Sequence, residues 1–158
     1  RSTAGPGVGD GIVIAPYARG DTVTGIRLGG TGDVTQSHVA WHLGDAGADV
    51  PTPAAENGRF YVLRDKGKSV VCRDVATGAE IWSTPLRSRK GFSASPVLAG
   101  GRLYCIDEDG VTFVVAAATG TLEAQNSLGD QLTVATPVCV DNQIFLRTAE
   151  RLYCIGAR

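Results

Sequence analysis

Apolar residues in this chain come in short runs that recur in a fixed order with turn residues. Each recurrence is a brief apolar run, a two-residue turn of Gly, Asn or Asp, and a second run of β-branched or aromatic residues, which predicts a β-hairpin. One copy reads Thr52-Pro53, Asn57-Gly58 and Phe60-Tyr61-Val62-Leu63; the next reads Ser95-Pro96, Gly100-Gly101 and Leu103-Tyr104-Cys105-Ile106. A third reads Thr136-Pro137, Asp141-Asn142 and Ile144-Phe145-Leu146, and a fainter one opens the chain with Gly5-Pro6, Asp10-Gly11 and Val13-Ile14. The prolines lie 47, 43 and 41 residues apart.

A third strand is predicted in these units at 69–73, 111–116 and 152–155, and a fourth at 80–82 and 122–127. Four strands in about 40–45 residues is the arithmetic of a propeller blade. The predicted fold is therefore an all-β propeller of four-stranded antiparallel blades, with blades near 5–45, 50–86, 92–129 and 134–156. Leu103-Tyr104-Cys105-Ile106 and Leu152-Tyr153-Cys154-Ile155 look alike but fall on the second and third strands of their units. Aligned by blade, Cys154 corresponds to Cys72 and Val114.

The last unit stops after its third strand, which reads as a natural C-terminus, and the start at Arg1 with no methionine reads as a cut. The expectation is the C-terminal half of a seven- or eight-bladed propeller, with an N-terminal half elsewhere as its partner. The end blades are then expected to expose strand edges and apolar faces.

Composition agrees with an all-β chain: 21 glycines and 7 prolines in 158 residues disfavour a helical fold, and 43% hydrophobic content supports a sizeable core. A net charge of -1 gives no electrostatic reason for a nucleic-acid partner. Arg87-Ser88-Arg89-Lys90 is short and lacks interleaved aromatics, so it reads as a solvated loop. No stretch approaches the 18 to 20 or so apolar residues of a membrane span, and a targeting segment is expected outside this chain.

Val71-Cys72-Arg73-Asp74-Val75-Ala76-Thr77-Gly78-Ala79-Glu80-Ile81-Trp82 resembles the tryptophan-docking motif A-x-D-x-x-T-G-x-x-x-W of pyrroloquinoline-quinone-like (PQQ-like) propellers. Asp74, Thr77, Gly78 and Trp82 match it. Asp and Thr can close a tight turn by hydrogen bonds, Gly supplies positive φ, and Trp can wedge between blades. The third blade keeps Thr119 and Gly120 but has Ala118 and Ala124 near the other positions; the first keeps Trp41 and lengthens its turn through residues 29–35. Trp41, Asp74, Thr77, Gly78, Trp82, Thr119 and Gly120 are thus the expected blade-docking residues. The repeats look most like the non-catalytic, BamB-like branch. That resemblance implies a periplasmic or cell-envelope scaffold that binds protein or peptide partners through blade loops, with no cofactor and no catalytic residue in this chain.

Two other functions are compatible with such repeats. A PQQ-dependent dehydrogenase needs calcium ligands, a carboxylate base and, in the enzymes of the family, a vicinal cysteine pair that this chain lacks. A sensor propeller would be joined to a signalling module. Asp107-Glu108-Asp109-Gly110 reads as a hairpin turn, and Cys72, Cys105, Cys139 and Cys154 as small buried strand residues. His38 and His42 flank Trp41 on one predicted strand, with equal parity and no third ligand. Gly91-Phe92-Ser93-Ala94-Ser95 lacks the final glycine of a nucleophile elbow.

Overall fold

Two-residue turns set the geometry of the chain. Asp10-Gly11, Asn57-Gly58, Gly100-Gly101 and Asp141-Asn142 each hold positive φ at both positions, between 44° and 78°. These are type I′ turns, whose twist suits two adjacent antiparallel strands, so Gly, Asn and Asp occupy them. The computed structural model describes residues 3–17, 21–129 and 132–156.

The first sheet contains β1 (Gly7–Gly9), β2 (Ile12–Tyr17), β3 (Thr22–Arg27) and β4 (Val39–Leu43). The second contains β5 (Ala54–Glu56), β6 (Arg59–Arg64), β7 (Ser69–Asp74) and β8 (Glu80–Pro85). In the third are β9 (Val97–Ala99), β10 (Arg102–Ile106), β11 (Val111–Ala116) and β12 (Leu122–Ser127), and in the fourth β13 (Val138–Val140), β14 (Gln143–Arg147) and β15 (Leu152–Gly156). Each is an antiparallel meander in sequence order, and among the described residues the fourth has three strands. First strands of successive sheets lie side by side, β1 by β5, β5 by β9 and β9 by β13. The sheets therefore radiate from a shared inner edge as propeller blades do, and no helix occurs among the described residues.

Registers align the blades residue by residue. Ile14 pairs with Gly25, Tyr61 with Cys72, Tyr104 with Val114 and Phe145 with Cys154. The fourth strands add Trp41 opposite Gly25, Trp82 opposite Cys72 and Ala124 opposite Val114, each followed by a register break. β8 runs three residues beyond the predicted 80–82, because Ser83, Thr84 and Pro85 lie on an outer strand with little apolar pattern to read.

Burial follows position in the stack. In β6, Phe60, Tyr61, Val62 and Leu63 are all buried, since one face packs on the first sheet and the other on the third. A continuous apolar run is what such a doubly covered strand requires. Between the second and third sheets lie Tyr61, Leu63, Val70 and Cys72 with Leu103, Phe113 and Val115. Between the third and fourth, the buried cluster is only Ala94, Ile106 and Leu146. At roughly 1.5–3 kcal/mol for each large side chain fully buried, this last junction is the weakest of the three.

Amide exchange will accordingly be slowest in β6, β7, β10 and β11 and on the order of a hundredfold faster in β14 and β15. Equal protection in all four sheets would show that the junctions do not differ in strength.

Candidate functional site

The docking motif is shared between neighbouring blades. Asp74 accepts hydrogen bonds from the Thr77 backbone N–H and hydroxyl, both at 2.8 Å, and these bonds hold its carboxyl below the usual carboxylate range. The turn closes through Gly78 N–H to the Asp74 carbonyl at 2.8 Å, with Gly78 at φ 74°. Onto this turn comes Trp41 of the preceding blade. Its indole N–H donates to the Val75 carbonyl at 2.8 Å, its rings stack on Phe60 at 5.2 Å, and a Cβ at Gly78 would lie 3.0 Å from the indole.

One blade further on, Trp82 donates to the Ala117 carbonyl at 3.2 Å, and Thr84 donates to the Gly120 carbonyl at 2.5 Å. A Cβ at Gly120 would lie 2.7 Å from the Trp82 ring. Ala116 stands where the second blade has Asp74, yet Gly120 N–H still bonds the Ala116 carbonyl at 2.8 Å and Thr121 N–H bonds the Thr119 hydroxyl at 3.3 Å. Thr119 and Gly120 thus belong to the seat of Trp82. Ala124 occupies the register position that Trp82 has in its own blade.

At the inner edge a second link runs between blades, one that the sequence reading treated only as a marker of period. Gly5 N–H donates to the Thr52 hydroxyl at 2.9 Å, Thr52 N–H to the Ser95 hydroxyl at 2.9 Å, and Ser95 N–H to the Thr136 hydroxyl at 3.1 Å. Each hydroxyl stands just before a proline. Proline holds the preceding residue extended and offers no N–H of its own, so the residue before it carries the cross-blade bond.

The longest connection between a third and a fourth strand is that from β3 to β4, residues 28–38, at the same end of the blades as the docking turns. It is ordered by its own bonds: Thr35 N–H to the Asp33 carboxylate at 2.9 Å, His38 N–H to the Val34 carbonyl at 3.0 Å, and the His38 ring with the Ser37 hydroxyl at 2.7 Å. Leu28 at its base is 56% exposed and Val39 at its end 41%. His38 lies in this loop while His42 lies on β4 and bonds the Thr24 hydroxyl at 2.8 Å. The equal parity expected for the two is lost, because β4 begins at Val39 and is interrupted by the register break.

The acidic group at 107–109 is committed to the β10–β11 turn. Asp107 is buried, accepts the N–H groups of Asp109 and Val111 at 3.0 and 2.9 Å, and takes the Ser88 hydroxyl at 2.5 Å, while Glu108 takes the Ser93 hydroxyl at 2.6 Å. These oxygens do not form a calcium cradle, and no group of three or more metal-binding side chains occurs among the described residues. All four cysteines are free thiols. Cys72 and Cys105 are buried as expected, whereas Cys154 is exposed on the face of the last sheet that no other described sheet covers, and Cys139 is half-buried on the opposite face, in a cavity shared with Ala99, Arg102 and Tyr104 of the third sheet.

A radial stack of four-stranded meanders with tryptophan seats on Thr-Gly turns is a β-propeller of the PQQ-like repeat class. The sequence profile of the family described as outer membrane protein assembly factor BamB matches residues 27–158, and the chain belongs to that family. Its fold is similar to that of BamB from Moraxella catarrhalis, with a TM-score of 0.76 and 16% identity over 98% of this chain and 46% of that one. The chain thus spans about half the length of that relative. It is also similar to the computationally designed Ika4 protein (TM-score 0.76, 16% identity, 96% and 88% coverage). A europium-containing methanol dehydrogenase aligns with a TM-score of 0.64 and 15% identity over 80% of this chain and 25% of that enzyme. At such identities these likenesses concern the fold. No curated protein sequence matches the chain significantly.

Gly120→Ala will cost about 2–3 kcal/mol, from left-handed backbone strain plus the clash with Trp82, while Gly101→Ala, at φ 73° with open space around its Cβ, will cost only about 1 kcal/mol. Equal effects in chemical denaturation would remove Gly120 from the seat. Ser95→Ala leaves the Thr52 N–H without its partner and will cost about 1 kcal/mol by the same assay.

Burial pushes the Cys105 thiol up to about 12 and Cys72 up to about 11. At pH 8 a thiol reagent will therefore modify Cys154 first, and Cys72 and Cys105 only as the fold opens. The folded state holds these two protons more tightly than the unfolded chain. Their contribution to stability is complete below the ordinary thiol value near 9 and declines as pH rises through 11 to 12. Similar labelling rates for all four cysteines would contradict this burial.

Proposed function

We propose that the chain is a non-catalytic propeller scaffold of the cell envelope that holds protein or peptide partners on its blade loops, in the setting of outer-membrane protein assembly. Family membership supports that setting. The observation that carries the binding role is the 28–38 loop, which is exposed, internally hydrogen-bonded and flanked by uncovered Leu28 and Val39. An ordered loop loses little conformational entropy on binding, and an apolar anchor at its base supplies area to bury. The commitment of Asp107 and Glu108 to turn and linker bonds favours a scaffold over a calcium-quinone enzyme.

Leu28→Asp combined with a Gly-Ser replacement of residues 31–36 will weaken binding to purified barrel-assembly proteins at least about tenfold, measured by biolayer interferometry. Unchanged affinity for every partner would sink the loop as the binding element. Calorimetric titration with pyrroloquinoline quinone and calcium separates the competing reading: saturable stoichiometric binding would replace the scaffold with a quinoprotein.

A further inference from the structure

The linker from the second sheet to the third differs in charge from the other two. Residues 86–91 include Arg87, Arg89 and Lys90, whereas residues 44–51 and 128–135 carry no cation. The linker is also fixed in place. Lys68 Nζ donates to the carbonyls of Ser88 and Arg89, both at 3.1 Å, Leu86 N–H donates to the Lys68 carbonyl at 2.8 Å, and the Ser88 hydroxyl donates to buried Asp107 at 2.5 Å.

Arg87 and Arg89 border a cleft of about 190 Å³ together with Val111 and Phe113 of β11 and Gln125 of β12. Phe113 is fully buried and its ring meets that of Phe92 edge-on at 6.0 Å, so the apolar floor is rigid. The cleft lies between the second and third sheets, each of which has a neighbouring sheet on both sides. Two carboxylates also line it, and both are engaged. Asp107 accepts the N–H groups of Asp109 and Val111 as well as the Ser88 hydroxyl, and Asp109 pairs with Lys90 at 3.9 Å. Among the described residues, the Arg87 and Arg89 guanidiniums have neither an ion pair nor a hydrogen bond.

Unpaired guanidiniums beside an apolar floor suit a carboxylate on an apolar body, since the planar N–H fork takes both carboxylate oxygens. Size restricts the ligand further, because sites for drug-sized molecules run to roughly 300–1,000 Å³. We propose that this cleft binds a small organic acid, its carboxylate held by Arg87 and Arg89 and its apolar body seated on Val111 and Phe113. The site lies at the end of the blades opposite the 28–38 loop, so it goes beyond the scaffold role and the two fail independently.

The probe is benzoate, titrated into the full chain and followed by amide NMR. Saturable shifts are expected at residues 87–90, 111–113 and 125. Benzamide, which is neutral, and inorganic phosphate, which has no apolar body, will each bind at least about tenfold more weakly. Arg87→Ala and Arg89→Ala will each lose about tenfold in affinity, with the fold intact by circular dichroism because neither side chain has an intramolecular partner. Gln125→Glu, which sets a like charge at the rim, will weaken benzoate by a similar factor. Lys66→Ala removes the same charge from the β6–β7 turn, away from the cleft, and will leave affinity unchanged. The proposal is overturned if no saturable shifts appear, if benzamide or phosphate binds as well as benzoate, or if Lys66→Ala weakens binding as much as Arg87→Ala. Tighter binding of acetyl-glycyl-valine than of benzoate would equally overturn it, assigning the cleft to a peptide terminus.

Discussion

The seat of one blade's tryptophan on the next blade's Thr-Gly turn is the contact on which the stack depends. A meander of four short strands buries too little surface to stand alone, so each blade must be covered by its neighbours. Trp41 and Trp82 do this at a defined distance and angle, because the indole N–H reaches a carbonyl in the adjoining turn while the ring needs a glycine beneath it. Aromatic area gives the junction its strength and the hydrogen bond gives it geometry. At the inner edge, Thr52, Ser95 and Thr136 repeat the device in polar form, each hydroxyl holding the N–H of the blade before.

This arrangement explains what the sequence revealed and what it concealed. The inner hairpins were legible because a type I′ turn admits few residues, and Gly, Asn and Asp mark it wherever it occurs. The doubly covered strands were legible as unbroken apolar runs such as Phe60 to Leu63. What linear reading obscures is ownership. Thr119 and Gly120 look like the remnant of a motif that has lost its Asp and Trp, but in space they complete the motif begun by Trp82 in the previous blade. Likewise, the hydroxyl before each proline has no local partner; its bond crosses to a residue 41 to 47 positions away. The exposure of Cys154 was hidden for a related reason, since strand chemistry tells that a residue faces one side of a sheet but not whether another blade covers that side.

The two ends of the blades carry different tasks. Interblade linkers and the β10–β11 turn interlock through Ser88, Ser93, Asp107 and Glu108, so their polar groups are spent on holding the blades together. The opposite end carries the docking turns at 75–79 and 117–121, each short and occupied by a tryptophan, and the longer 28–38 loop, which presents side chains outward.

The same logic accounts for the gradient of packing along the chain. Trp41 belongs to the cluster between the first and second sheets, and Trp82 packs against the cluster between the second and third. At the third junction, where Ala124 takes the tryptophan position, the buried cluster shrinks to Ala94, Ile106 and Leu146 with Leu128, Ile144 and Tyr153 at its margin. A missing indole is therefore more than a lost contact: its absence lets Val114 occupy a place that a seated tryptophan would require to be small. Cys154 keeps that place small in the last sheet, where three strands are paired among the described residues.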